Sequence, residues 1–176
     1  MSAVISRRSP ALFIVMGVSG CGKSTVSESL AEHFGIISLD ADDFHSAENK
    51  AHMASGQPLT DAMRVPWVHG LRDHLALMAA QGESCTLAFS GLRKAHRDVL
   101  RNTGHRVFYL LLDGSRELIA KRMQARAGHF MPASLLDSQF AALERPMADE
   151  QMMYIDIDQP VDGVMNTIYT LVDDLI

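Results

Sequence analysis

Cysteine is scarce in this chain, which has only Cys21 and Cys85, with no paired spacing. That excludes a disulfide framework and favours a reducing compartment, so a cytoplasmic protein is expected. The eight histidines include no pair four residues apart and no His/Cys cluster, which argues against a zinc site. Long apolar runs are also missing. The run from Ala11 to Met16, after Arg7-Arg8, is shorter than a signal-peptide core and far below a membrane span. Nor is there an excess of basic charge, since 16 Lys and Arg face 21 Asp and Glu for a net charge of −5. A nucleic-acid partner would favour a basic surface and is not expected. Small anionic ligands stay possible, because the field of one pocket can oppose the net sign.

No repeat, low-complexity tract or Pro/Gly/Ser linker divides the chain, so residues 1–176 are expected to form one domain. With 47% hydrophobic and 21% charged residues, it has ordinary soluble composition. A chain of this size can bury roughly 70% of its unfolded surface, so neither metal nor disulfide is needed to hold the fold. The eleven methionines are expected to fill gaps in that core.

The order of segments gives the fold class. Leu12 to Met16 reads as a strand covered on both faces, followed by a glycine-rich turn and a helix from about Ser24 to Phe34, stopped by Gly35. Ile36 to Leu39 is a short strand ending in Asp40, Asp42 and Asp43. Helices broken near Gly56-Gln57-Pro58 and Val65-Pro66 are expected between Ser46 and Gln81. Strands at 85–89, 107–112 and 154–157 alternate with helices at 93–101, 115–126, from about 135, and 161–175. This alternation predicts an α/β fold with a five-stranded parallel sheet wrapped by helices, and ligands beyond the carboxyl ends of the strands.

Gly17-Val18-Ser19-Gly20-Cys21-Gly22-Lys23-Ser24 matches the P-loop pattern between that first strand and helix. Glycines let successive N–H groups turn inward without Cβ clashes, and the helix start adds to an anion cradle. Lys23 is placed to reach the β- and γ-phosphates of ATP, Ser24 to hold Mg²⁺, and Thr25 to touch the α-phosphate. Cys21 fills a variable position and is given no separate role.

A GTP switch is disfavoured, because Asn49-Lys50 continues as Ala51-His52 with no Asp-x-x-Gly before it. Motor and transporter ATPases usually need longer chains. Short P-loop chains commonly phosphorylate a small molecule and must keep water off the γ-phosphate. Arg122 and Arg126, four apart on one helix face and leading into Gly128-His129-Phe130, suit a cationic lid over about 122–140. They would equally suit a solvated helix C-terminus. The acceptor hydroxyl needs a carboxylate, and Asp42 is the choice within a cluster whose spacing does not decide between functional and turn roles. Asp40 could end the strand or help position Mg²⁺ through water. Gln159-Pro160 is a candidate adenine-side loop, and Trp67 is either packing or a wall of the acceptor pocket.

Beyond the P-loop, several segments resemble the gluconate kinase family. Leu39-Asp40-Ala41-Asp42-Asp43-Phe44-His45 is similar to its Asp-Gly-Asp-Asp-Leu-His segment. Met53 to Asp61 and Arg64-Val65-Pro66-Trp67 are similar to its central stretch, and Ser90 to Asp98 to its Ser-Ala-Leu-Lys-Lys-x-Tyr-Arg-Asp. Arg126 to Met131, Ser138-Gln139-Phe140 and Leu143-Glu144-Arg145-Pro146 complete the set. The resemblance implies a nucleoside-monophosphate-kinase-like fold, transfer of phosphate from ATP with Mg²⁺ to the 6-hydroxyl of D-gluconate, and a homodimer. An anionic sugar acid calls for cations and polar donors, and Arg64, Lys94, Arg97, His45 and His129 are the candidates beside Asp42. Phe89, Gly91, Arg93 and His96 stand where the family usually has Cys, Ala, Lys and Tyr, which bears on acceptor preference. Another small anionic acceptor, such as shikimate or adenylyl sulfate, and a nucleotide-binding module without turnover are the competing readings.

Overall fold

A computed structural model describes residues 9–18, 20–125, 133–146 and 150–175 of the chain. Five parallel strands, β1 (Ala11–Met16), β2 (Ile37–Asp40), β3 (Cys85–Ala88), β4 (Arg106–Asp113) and β5 (Met152–Asp156), lie in the order β2-β3-β1-β4-β5. Around them run α1 (Lys23–Phe34), α2 (Ala47–Ala54), α3 (Asp61–Ala80), α4 (Lys94–Leu100), α5 (Arg116–Ala125), α6 (Ala133–Ala142) and α7 (Val161–Asp173). The alternation expected from the sequence is present. The order adds what the sequence could not supply. After β1 the chain crosses to the β2–β3 side, and after β3 it returns past β1 to β4, so the crevice opens at the carboxyl end of β1.

The apolar run of β1 is explained by its place in the middle of the sheet. Successive side chains of a strand point to opposite faces. Ala11, Phe13 and Val15 join one core with Leu30, Leu110, Ile168 and Val172. Leu12, Ile14 and Met16 join the other, with Trp67, Leu71, Leu75 and Leu111. Every residue of β1 is buried, and each large side chain so covered contributes about 1.5–3 kcal/mol. Between the layers, the Ser27 hydroxyl donates to Thr86 Oγ1 at 2.9 Å, and Thr86 in turn donates to the Ser27 carbonyl at 3.0 Å. This fixes α1 over β3 without leaving a buried hydroxyl orphaned.

Local signals set the helix ends. Gly35 adopts φ 66° and its N–H closes on the Ala31 and Glu32 carbonyls, ending α1 where the glycine predicted. Ser46 and Thr60 cap α2 and α3 by accepting from the Asn49 and Met63 amides. One expectation fails here: α3 runs unbroken through Pro66. Pro66 and Ala62, whose carbonyl loses its partner, both lie on the exposed side. Water can satisfy that carbonyl, while Trp67, Val68, Leu71 and Leu75 hold the helix on the sheet.

A second correction concerns Arg97, expected at the substrate. Its side chain is wholly buried and forms a two-pronged ion pair with Glu150, Nε to Oε2 at 2.7 Å and Nη2 to Oε1 at 3.0 Å. Its Nη1 donates to the Gly91 carbonyl at 2.7 Å, and its own carbonyl accepts from the Tyr109 hydroxyl at 2.8 Å. All three nitrogens are engaged inside the protein, so Arg97 fastens the β3–α4 loop to the start of β5. Arg97→Met is expected to cost about 3–5 kcal/mol in urea unfolding, because Glu150 is left as an uncompensated buried charge. A loss below about 1 kcal/mol, the value of an exposed pair, would contradict this role.

Candidate functional site

The site is built where β1 runs into α1. Gly22 caps α1 with φ 95° and no side-chain bond, and the first turn holds no acidic residue. Lys23 is half-buried, and Ser24 and Thr25 are exposed. The amides at the start of α1 therefore face an open, uncontested space suited to an anion. Gly20, at φ 81°, lies under α5, and a β-carbon there would come within 2.4 Å of Met123 Cγ. Val18 and Cys21 turn inward and pack into the core. The loop is tied across the sheet by Gly17 N–H donating to the Ser90 carbonyl at 3.3 Å. Lys23 Nζ curls back to donate to the Val18 carbonyl at 3.1 Å. Burial pushes the Cys21 thiol up, with Lys23 opposing, so it stays protonated and serves as filling. Ser19, the remaining loop residue, lies outside the described residues.

The acidic cluster divides into two roles. Asp40, at the end of β2, accepts from the Ser24 hydroxyl at 2.8 Å through one oxygen and from the Asp42 amide at 3.0 Å through the other. It thereby caps a 3₁₀ turn over Ala41–Phe44 and bridges that turn to α1. The turn role expected for part of this cluster thus falls on Asp40. The Asp42 side chain projects into solvent at the mouth of the cleft. Although its surface is open to water, the protein massed behind the carboxyl, then the neighbouring Asp40 charge, push it above its ordinary value, while His45 and Lys23 act against this.

His45 lies beneath Asp42, with Nε2 at 3.6 Å from Asp42 Oδ1. Its ring stacks on Trp67 at 4.1 Å, and Trp67 Nε1 donates to the Ala41 carbonyl at 2.8 Å. Trp67 is therefore a structural support of the acidic turn as well as core. Burial chiefly lowers the His45 value, so the ring is neutral at pH 7.

Ser24 and Asp40 offer hard oxygen donors of the kind Mg²⁺ takes, one or two from protein with the remainder from phosphate and water. Among the described residues no group of three or more His, Cys, Asp or Glu could hold a metal by itself. The cradle and donors together fit a nucleotide phosphate chain with Mg²⁺.

Other candidates are distributed less simply. Arg64 stands on α3, where its ion pair among the described residues is a 3.5 Å contact to Asp61. Lys94 pairs along α4 with both Asp98 oxygens at 3.0 Å, rather than pointing only at a ligand. Arg122 donates to the carbonyls of Ile157 and Gln159, bracing α5 against the β5–α7 loop. Arg126 and His129 lie outside the described residues, as does the middle of the expected lid. On its flanks, Arg116 of α5 pairs with Asp137 of α6. Sequence reasoning allowed packing for Trp67 and a strand-ending role for Asp40, but not the bonds that they and Ser90 make. Their bonds join segments distant along the chain, and no local pattern announces them.

Gly22→Ala isolates the backbone requirement, since nothing lies within 4 Å of the added carbon and only φ opposes it. Strain of about 1–3 kcal/mol is expected, reducing affinity for a fluorescent ATP analogue in titration. Unchanged affinity would show that the cradle does not need that left-handed residue.

Comparison with known proteins places this geometry. A family model described as AAA domain matches residues 12–146. The thermosensitive gluconokinase of Escherichia coli (strain K12) is 45% identical over 153 residues, covering 86% of this chain and 82% of that protein. An unliganded sugar kinase from Janibacter sp. HTCC2649 superposes with a TM-score of 0.85 at 43% identity, over 93% of this chain and 95% of that one. A gluconokinase from Sinorhizobium meliloti 1021 gives a TM-score of 0.82 at 35% identity, over 96% and 97%.

Proposed function

The chain belongs to the gluconokinase family, and from that premise we propose how its residues carry the reaction. The protein is an ATP-dependent kinase that phosphorylates D-gluconate at the 6-hydroxyl, giving 6-phospho-D-gluconate and ADP. The single observation that supports this most is the open amide cradle of α1 beside the bonded Ser24–Asp40 pair and the exposed Asp42. It puts anion donors, hard oxygen ligands and a candidate base in one crevice.

In this reading the loop amides and Lys23 hold the β- and γ-phosphates, and Lys23 exchanges its Val18 carbonyl contact for phosphate oxygen. Asp42 accepts the proton of the 6-hydroxyl as O6 bonds to the γ-phosphorus and the bond to the β–γ bridging oxygen breaks, ADP leaving. A raised Asp42 suits a base, since its proton affinity then lies closer to working pH. Mg²⁺, when bound, neutralises charge on the phosphate oxygens, and Ser24 and Asp40 are the residues that would hold it. Arg64 and His45 border the acceptor side. Arg126 and His129 belong to the same proposal through the family resemblance alone. Assembly as a homodimer and a cytoplasmic location complete it. Among the described residues no helix is long and apolar enough to cross a membrane.

ADP release with Mg·ATP over a panel of acceptors tests the function. D-gluconate should support about 1–100 turnovers per second, whereas activity on shikimate without activity on gluconate would contradict the assignment. Lys23→Ala should lose about 3–4 kcal/mol of transition-state stabilisation; near-normal turnover would remove Lys23 from the chemistry.

The pH profile tests Asp42. A base works ionised, so turnover should fall as pH drops through the Asp42 value, placing the acid limb above the ordinary carboxylate value of about 4. Asp42→Asn should lower kcat about 10²–10⁴-fold and abolish that limb. A variant within tenfold of the parent would mean another group takes the proton.

A further inference from the structure

Between α3 and α4 lies a cavity of about 460 Å³, lined among others by Asp61, Val65, His69, Arg93, His96 and Glu144. The proposed roles of Lys23 and Asp42 make no use of it. Through Arg93 its wall reaches the loop that follows β3, the loop bonded to the phosphate loop. Ser90 accepts the Gly17 amide of the phosphate loop, and Arg93 follows three residues later, a stretch of chain spanning at most about 10 Å. A six-carbon acid with its 6-hydroxyl at the phosphate would extend its carboxylate over a comparable length.

The four arginines of this neighbourhood differ in how completely they are used. Arg97 is saturated by short bonds inside the protein. Arg101 reaches Asp98 at 3.4 Å from the far end of α4. Among the described residues Arg93 pairs with Glu144 alone, at 3.4 Å, and its buried Nε has no hydrogen-bond partner there. Arg64 likewise pairs, among the described residues, with Asp61 alone, at 3.5 Å. Charge-assisted bonds close to about 2.7–2.9 Å when the geometry is good, so the pairs of Arg64 and Arg93 are slack. Both guanidiniums act on one residue, His96. Burial first, then Arg64, hold its ring below the ordinary value, with Arg93 adding to this and Asp61 and Glu144 opposing. Arg93 and His96 both line the cavity, and Arg64 directly precedes Val65 of its lining on α3.

We infer that Arg93, together with Arg64 and His96, receives the carboxylate of the sugar acid, and that Arg93 sets the preference for acids over uncharged polyols. The inference rests on the gluconate reading above. A carboxylate arriving here gives the orphaned Arg93 Nε a partner and lets both loose guanidiniums close on an anion. Glu144 need not move far, because the Lys94 amide also holds it at 3.2 Å. Arg93 and His96 are two of the positions at which this chain departs from the usual family segment, so acceptor preference is the property they would alter.

The test compares the parent with Arg93→Ala and Arg93→Lys, using D-gluconate as substrate and D-glucitol, the same carbon chain without the carboxylate, as substrate or competitive inhibitor. Arg93→Ala should raise KM for gluconate about tenfold to a hundredfold, the loss of one charged hydrogen-bonding group. Its kcat should stay within about threefold, and Arg93→Lys should recover part of the loss. The apparent affinity for glucitol should hardly change. The inference is overturned if the gluconate KM stays within about twofold, if gluconate and glucitol weaken alike, or if kcat and kcat/KM fall together. A parent enzyme that releases no ADP with gluconate would instead refute the function itself, before any variant is made.

Discussion

The first turn of α1 has to keep amides free for a ligand while the loop before it is held in place, its Gly17 and Cys21 N–H groups donating to the Ser90 and Val18 carbonyls. Free amides are costly if buried unpaired, so they must stand in an open crevice beside well-ordered elements. The wholly buried β1 supplies one side and the exposed first turn of α1 the other. Met123 closes over Gly20. The Ser24–Asp40 bond then joins the phosphate cradle to the acidic turn. Donor and acceptor halves of the site are thereby set relative to each other by two segments that already belong to the fold.

Charge is divided in the same way. The Arg97–Glu150 pair is dry, short and bidentate, and it shapes the loop carrying Gly91 and Leu92. Arg64 and Arg93 stay partly open and loosely paired. A guanidinium that is fully bonded cannot also greet a ligand without breaking those bonds, so geometry sorts structural arginines from available ones where residue type cannot. His45 follows the same logic. Stacked on Trp67 and kept neutral, it supports Asp42 without contributing a fixed positive charge.

Much of the architecture was legible in the chain because its signals are local. The continuous apolar run of β1, the glycine pattern after it and the stop at Gly35 each depend on neighbouring residues, and each appears as expected. Strand order was not legible, since it depends on crossovers that leave no mark in any one segment. Pro66 misled because a proline's effect depends on whether the carbonyl it strands meets water, a tertiary fact. Arg97 misled for a related reason: its partner Glu150 is far away in sequence, and only packing reveals that both are buried. Among the site residues, the P-loop was readable as a unit and Asp40 could be set apart from Asp42, whereas the Ser24 bond that ties Asp40 to α1 left no mark in the spacing. The departures at Arg93 and His96 were visible in the sequence, but the cavity that both line was not.

The central claim is that this crevice moves a phosphoryl group onto the terminal hydroxyl of a sugar acid. Phosphorus and carbon NMR of a completed reaction with ATP and D-gluconate test it most directly. The account expects one new phosphate monoester coupled to the C6 methylene, formed in step with ADP. Inorganic phosphate as the sole new phosphorus product, or an ester at another carbon, would contradict it.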